Sequence, residues 1–86
     1  MFNLVFTKTY EEELTKLDLS IQKQIDKKIQ QLEFRPFLGK RLVGYPYWSL
    51  HISDYRIIYK IDNKNQTIDV LTILSRKHDY RELRKL

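Results

Sequence analysis

Cysteine is absent, so no disulfide framework braces this chain and no thiolate zinc site can form. Two histidines are too few for an all-imidazole centre, and neither a structural metal nor any other cofactor is expected. Glycine is almost as scarce. With only Gly39 and Gly44, a Gly-rich loop that cradles phosphates is excluded. There is also no Gly-x-Ser-x-Gly turn, so Ser49 and His51 make a poor hydrolase pair. The opening Met1-Phe2-Asn3-Leu4-Val5-Phe6 lacks a basic leader and a long apolar run. Neither a signal peptide nor a membrane span is expected, which points to the cytoplasm. Internal repeats, linkers and low-complexity segments are missing as well.

What remains is 86 residues, the length of one domain spanning 1–86. Such a domain buries only about 60% of its extended-chain surface, so its stability margin is thin. A hydrophobic content of 42%, with 13% aromatic residues, argues against disorder. The formal charge of +5 is unevenly distributed. Residues 1–34 and 61–75 are each slightly acidic. Between them, Arg35, Lys40, Arg41, Arg56 and Lys60 face Asp54 alone. In the tail, Arg76, Lys77, Arg81, Arg84 and Lys85 outnumber Asp79 and Glu82. A fold that joins these two basic segments would present one surface to a polyanion.

Hydrophobic spacing supplies the elements. Phe2 to Phe6 reads as a short strand. Thr7 or Thr9 can cap a helix, Thr9 with Glu12 having capping-box spacing, and Tyr10, Leu14 and Leu17 share a helical face. Asp18 or Ser20 caps a second helix, whose Ile21, Ile25, Ile29 and Leu32 recur at helical intervals until Arg35-Pro36 stops it. Gly39 and Gly44-Tyr45-Pro46 punctuate a loop. Trp48, Leu50 and Ile52 then alternate with Ser49, His51 and Ser53, a half-buried strand whose polar face should be solvated. Ser53-Asp54 turns into a strand from Tyr55 to Ile61, Asp62 to Gln66 forms a hairpin loop, and Thr67 to Leu74 closes a meander. In the tail from Lys77 to Leu86, Tyr80, Leu83 and Leu86 allow a short helix. The predicted fold is α+β: an N-terminal strand, a two-helix antiparallel hairpin, then a three-stranded antiparallel meander and a basic C-terminal tail.

Chemistry belongs on the outward face of the meander. Ser49 and His51 point to the same side, Arg56 begins the next strand, and the last strand delivers Arg76, Lys77, His78 and Tyr80 to the sheet edge. Guanidinium groups hold phosphate oxygens in bidentate fashion, and a phenol stacks on an exposed base. A group titrating near neutrality can remove a proton from a ribose 2′-OH, so this chemistry needs no metal. Each residue also has a plainer reading. His51 could be simply solvated, Arg56 could pair with Asp54 or Asp62, and Tyr80 could be core. The carboxylates cluster on the wet face of the helices and are not placed for catalysis.

The run Gly44-Tyr45-Pro46-Tyr47-Trp48-Ser49-Leu50-His51-Ile52-Ser53-Asp54-Tyr55-Arg56-Ile57-Ile58-Tyr59-Lys60-Ile61 resembles the signature of the RelE/ParE toxin superfamily. There, a loop leads to Trp-Arg-Leu-Arg, then Asp-Tyr-Arg and an apolar strand. Ile73 to Tyr80 is similar to the family's closing His-Arg-x-x-x-Tyr segment. The resemblance implies a RelE-like fold and the toxin of a type II toxin–antitoxin system. It implies a ribosome-dependent, metal-independent endoribonuclease (an mRNA interferase) that cuts mRNA in the A site and so inhibits translation. The alternative it carries is a non-catalytic, ParE-like inhibitor of DNA gyrase.

By matched position, Arg56 would stabilise the phosphate, Arg76 would assist the leaving group and Tyr80 would stack on or orient the substrate. Lys40 and Arg41, with Ser49, Lys77, His78 and Arg81, would contact RNA. The basic residues that flank the matching leucine in RelE members are here Ser49 and His51. The general base would then be His51, with His78 second, and Ser75 stands where many members place histidine. The implied partners are a ribosome carrying mRNA and a cognate RelB-like antitoxin. An acidic, amphipathic chain that folds on binding suits the basic surface.

Overall fold

The structure is a computed structural model that describes residues 1–75. Strand β1 (Asn3–Phe6) leads directly into helix α1 (Lys8–Thr15). Thr7, rather than Thr9, is the cap. Its side-chain oxygen accepts the Tyr10 N–H at 3.1 Å while its hydroxyl donates to the Leu71 carbonyl at 2.6 Å. The chain is still extended at Thr7 (φ −78°, ψ 159°), which aims that oxygen at the exposed amides of the first turn, whereas Thr9 already lies inside the helix. Helix α2 (Leu19–Gln30) starts from Asp18, whose backbone carbonyl accepts the N–H groups of Ile21 and Gln22 with no side-chain cap. It tightens into a 3₁₀ turn, Gln31–Glu33, just before the Arg35-Pro36 stop.

The remaining elements are β2 (Lys40–Arg41), β3 (Trp48–Ile52), β4 (Tyr55–Asp62) and β5 (Thr67–Ser75). The expected meander is the centre of a five-stranded sheet of order β1-β5-β4-β3-β2. β1 lies parallel to β5, with Asn3 opposite Thr67 and Phe6 opposite Val70, and all other pairs are antiparallel. Ser53 (φ 53°) and Gln66 (φ 54°) take left-handed conformations where the two β-hairpins turn. In the second turn the Asp62 carboxylate accepts from the backbone and side-chain nitrogens of Asn65. These bonds favour its charged form, so its pKa lies below the ordinary carboxylate value.

One face of the sheet carries the main core. Tyr10, Ile25, Ile29 and Leu32 pack there against Leu50, Ile52, Ile57, Tyr59, Ile68, Val70 and Ile73. Burying an isoleucine of this kind contributes about 1.5–3 kcal/mol. Opposite Ile58 and Tyr59 the register shifts: Ile58 faces Thr72 but Tyr59 faces Val70, leaving Leu71 as the extra residue of a bulge. That extra residue lets both Val70 and Ile73 reach the core side despite their odd spacing.

The second face is not simply solvated, which corrects the expectation for Ser49. Leu42, Ile58 and Leu74 form a smaller apolar cluster there, with Tyr45, Tyr47 and Leu71 packed around it. Ser49 stands opposite Ile58 and is only 8% exposed, whereas His51, one step further along the same face, is exposed.

Candidate functional site

Two rungs of the sheet assemble the candidate site. His51 on β3 stands opposite Arg56 on β4, and Ser49 stands opposite Lys40 on the short edge strand β2. Strand alternation sends Leu50, Ile52 and Ile57 into the main core, so Lys40, Ser49, His51 and Arg56 belong to the face away from the helices. The Ser53-Asp54 turn creates this pairing, because a tight hairpin closes with the residues on either side in register. Arg56 is half-buried. Asp62, one of its suggested partners, sits at the far end of β4 and binds Asn65 instead.

Beside these residues, at the edge of β3, a cleft of about 260 Å³ is lined by Lys28, Leu38, Gly39, Lys40, Ser49, Leu50 and His51. Two lysines and a histidine line it, and the lining includes no carboxylate residue. Lys28, half-buried on α2, escaped the sequence reading. Helical spacing marks it only as a polar residue beside Ile29, and only the packing of α2 on β3 brings it here. Such a lining attracts anions, and His51 adds an imidazole of the kind that accepts a proton beside a phosphate.

The wall of this cleft is fixed from below. Tyr59, fully buried, donates its hydroxyl hydrogen to the Pro36 carbonyl (2.9 Å) and accepts the Gly39 N–H (3.0 Å). Burial pushes the Tyr59 pKa up, so the neutral form that can donate is retained. A side chain on residue 39 would stand 2.6 Å from the Ser49 carbonyl oxygen and 2.7 Å from the Tyr59 hydroxyl. Gly39 is therefore required by close approach, and this packing presents Lys40 beside Ser49.

Lys40 and Arg41, expected in a loop, instead form β2. Arg41 stands opposite Trp48 and lines a different cleft from Lys40. Arg76, Lys77, His78, Tyr80 and Arg81 lie outside the described residues. β5 ends beside the site, with Leu74 opposite Arg56 and Ser75 opposite Tyr55. Among the described residues no group of three His, Cys, Asp or Glu side chains could hold a metal ion, and no helix is long and apolar enough to cross a membrane.

A mixed sheet with a helix pair on one face and basic groups on the other is the RelE toxin fold. The isolated Escherichia coli RelE toxin superposes with a TM-score of 0.78 at 23% identity, covering 99% of this chain and 97% of that one. The toxin–antitoxin complex RelBE2 of Mycobacterium tuberculosis matches with a TM-score of 0.76 at 26% identity over 87% of this chain and 98% of its counterpart. The RelB–RelE complex of Methanococcus jannaschii gives 0.74 at 25% identity, with coverage of 91% and 96%. The sequence profile of the ParE toxin of type II toxin–antitoxin systems matches residues 4–80, and the chain belongs to that family. Among curated protein sequences, none matches.

Proposed function

We propose that this toxin is a metal-independent endoribonuclease that cleaves mRNA on the ribosome and so arrests translation. The observation that carries this reading is the register pair His51–Arg56 on the face away from the helices, with Lys40 and Ser49 paired two rungs along the same face. In the reaction, the ribose 2′-oxygen bonds to the adjacent phosphorus as His51 takes its proton. The bond from phosphorus to the 5′-oxygen then breaks, and that oxygen is protonated as it leaves. Arg56 opposes the charge that builds on the phosphate, a stabilisation strongest in a water-poor site. Arg76 assists the departing oxygen and Tyr80 stacks on the substrate, with Lys77, His78 and Arg81 holding the backbone.

The partner in the cell is an acidic antitoxin. Support comes from the solved complexes of RelE-like toxins with antitoxins and from the basic character of this face. The cytoplasm is the compartment in which both it and ribosomes are met. The decisive assay incubates purified toxin with programmed ribosomes and maps mRNA ends. Cuts confined to the A site and lost in His51→Ala support the assignment, while full cleavage by that variant removes His51 as the base. Membership of the ParE family favours a second reading, inhibition of DNA gyrase. Loss of supercoiling without mRNA cuts would establish it in place of the first.

A further inference from the structure

A second cationic cleft lies on the other side of the β2 edge. Its volume is about 300 Å³, at the small end of the range for ligand clefts (roughly 300–1,000 Å³), and Phe37, Arg41, Pro46, Trp48, Lys60 and Asn63 contribute to its lining. Its wall is aromatic: the Phe37 and Trp48 ring centroids are 5.3 Å apart at 54°. Trp48 in turn stacks on Tyr59 at 6.3 Å, which backs it against the core. Phe37 is 61% exposed, so its ring is open to stacking. It is also not loose, because the Pro36 carbonyl and Gly39 N–H on either side of it are tied to the Tyr59 hydroxyl.

The charges are set to match. Arg41 stands opposite Trp48 across β2–β3, and Lys60 joins the lining from β4. Both cations are exposed. The nearby Asp62 carboxylate is occupied by Asn65, and no carboxylate contributes to the lining. An aromatic wall of two tilted rings, two cations and the Asn63 amide are the elements that bind a single-stranded nucleotide: the base stacks on one ring, the phosphate is neutralised and the amide reads a base edge. Lys40 lines the cleft of His51, while its neighbour Arg41 lines this one. The two-residue strand β2 is thus a short basic edge between two clefts.

We infer that the Trp48–Phe37 cleft holds a base of single-stranded RNA neighbouring the cleaved bond, with Lys40 and Arg41 guiding the backbone over the β2 edge. As a role in substrate binding this rests on the nuclease reading. Nucleotide binding by the cleft itself is testable without cleavage.

Trp48 is the chain's one tryptophan, so its emission reports on this cleft directly. Full-length toxin is titrated at low salt with a short 2′-O-methyl oligoribonucleotide, which cannot be cut because its 2′-oxygen is blocked. Saturable quenching of Trp48 is expected. Arg41→Ala and Lys60→Ala should each weaken binding about threefold to tenfold and lower the salt slope by about one. Both residues are exposed, so the variants are expected to fold, and far-ultraviolet circular dichroism verifies it. Oligonucleotide binding seen by anisotropy without a change in Trp48 emission overturns the inference. So does quenching by polyglutamate but not by the oligonucleotide, which would make the cleft a seat for an acidic protein. Quenching by a toxin that cuts no mRNA on ribosomes upholds the cleft and removes the nuclease reading. Cutting without quenching does the reverse.

Discussion

The Tyr59 hydroxyl is held between the backbone of Pro36 and that of Gly39, donating to the Pro36 carbonyl at 2.9 Å and accepting the Gly39 N–H at 3.0 Å. This one phenol fastens the 36–39 loop to the sheet and so sets the walls of both clefts. Tyr59→Phe keeps the ring and its stacking on Trp48 but leaves a carbonyl and an amide without their partner. A loss of about 1–3 kcal/mol in urea unfolding is expected. Loosening of the loop should also shift Trp48 emission in the folded state.

Gly39→Ala tests the same junction from the other side. The new methyl would lie 2.6 Å from a backbone oxygen of β3, which cannot swing aside as a side-chain tip would. Destabilisation of about 1–3 kcal/mol is expected from overpacking. In the double variant with Tyr59→Phe the two costs should not add, because removing the hydroxyl also removes the second clash at 2.7 Å. Strict additivity in a double-mutant cycle would refute this geometry.

Tyr10 offers a contrast. Its ring is core, 2% exposed and stacked on Phe6 at 5.3 Å, yet among the described residues its hydroxyl has no hydrogen-bond partner. Burial, with a smaller contribution from Asp26, pushes its pKa up to about 12. The unfolded chain releases this proton near the ordinary value of 10.0, and the folded chain holds it longer. Stability from this group is therefore complete below pH 10 and is lost as pH rises from there toward 12. Tyr10→Phe should be neutral or mildly stabilising at pH 7. It should also show a shallower alkaline decline in thermal melts than the parent chain.

At the candidate site, His51→Ala should slow mRNA cleavage about 10²- to 10⁴-fold, the usual worth of a positioned general base. Arg56→Ala should cost about 10²- to 10³-fold, with Arg56→Lys recovering part of it because charge is kept while the bidentate fork is lost. Single-turnover rates on programmed ribosomes measure both effects. A rate for Arg56→Ala within twofold of the parent would exclude a role for this residue in stabilising the phosphate.

How much of this was legible in the chain can be judged residue by residue. Strand alternation and the Ser53-Asp54 turn suffice to put His51 beside Arg56, because both signals are local. The burial of Ser49 has no local signature, because alternation says which side a residue points to, not what covers that side. The consecutive buried Ile57, Ile58 and Tyr59 were the available sign that both faces of the sheet are covered. β2 is too short to leave a pattern. Lys28 reaches its cleft through helix packing on the sheet, and the parallel seat of β1 joins residues 64 positions apart, so neither has a local signature. The tail residues Arg76 and Tyr80 lie outside the described residues.

That parallel seat also governs when the molecule is finished. Among the described residues, β1 precedes every other strand in the chain yet finds its strand partner only in residues 67–70. The helices and the β3–β4 hairpin can gather earlier, through contacts close in sequence, while closure of the sheet waits for its last strand. A chain that stops short of residue 67 therefore carries the His51–Arg56 hairpin without the parallel strand pair that frames it.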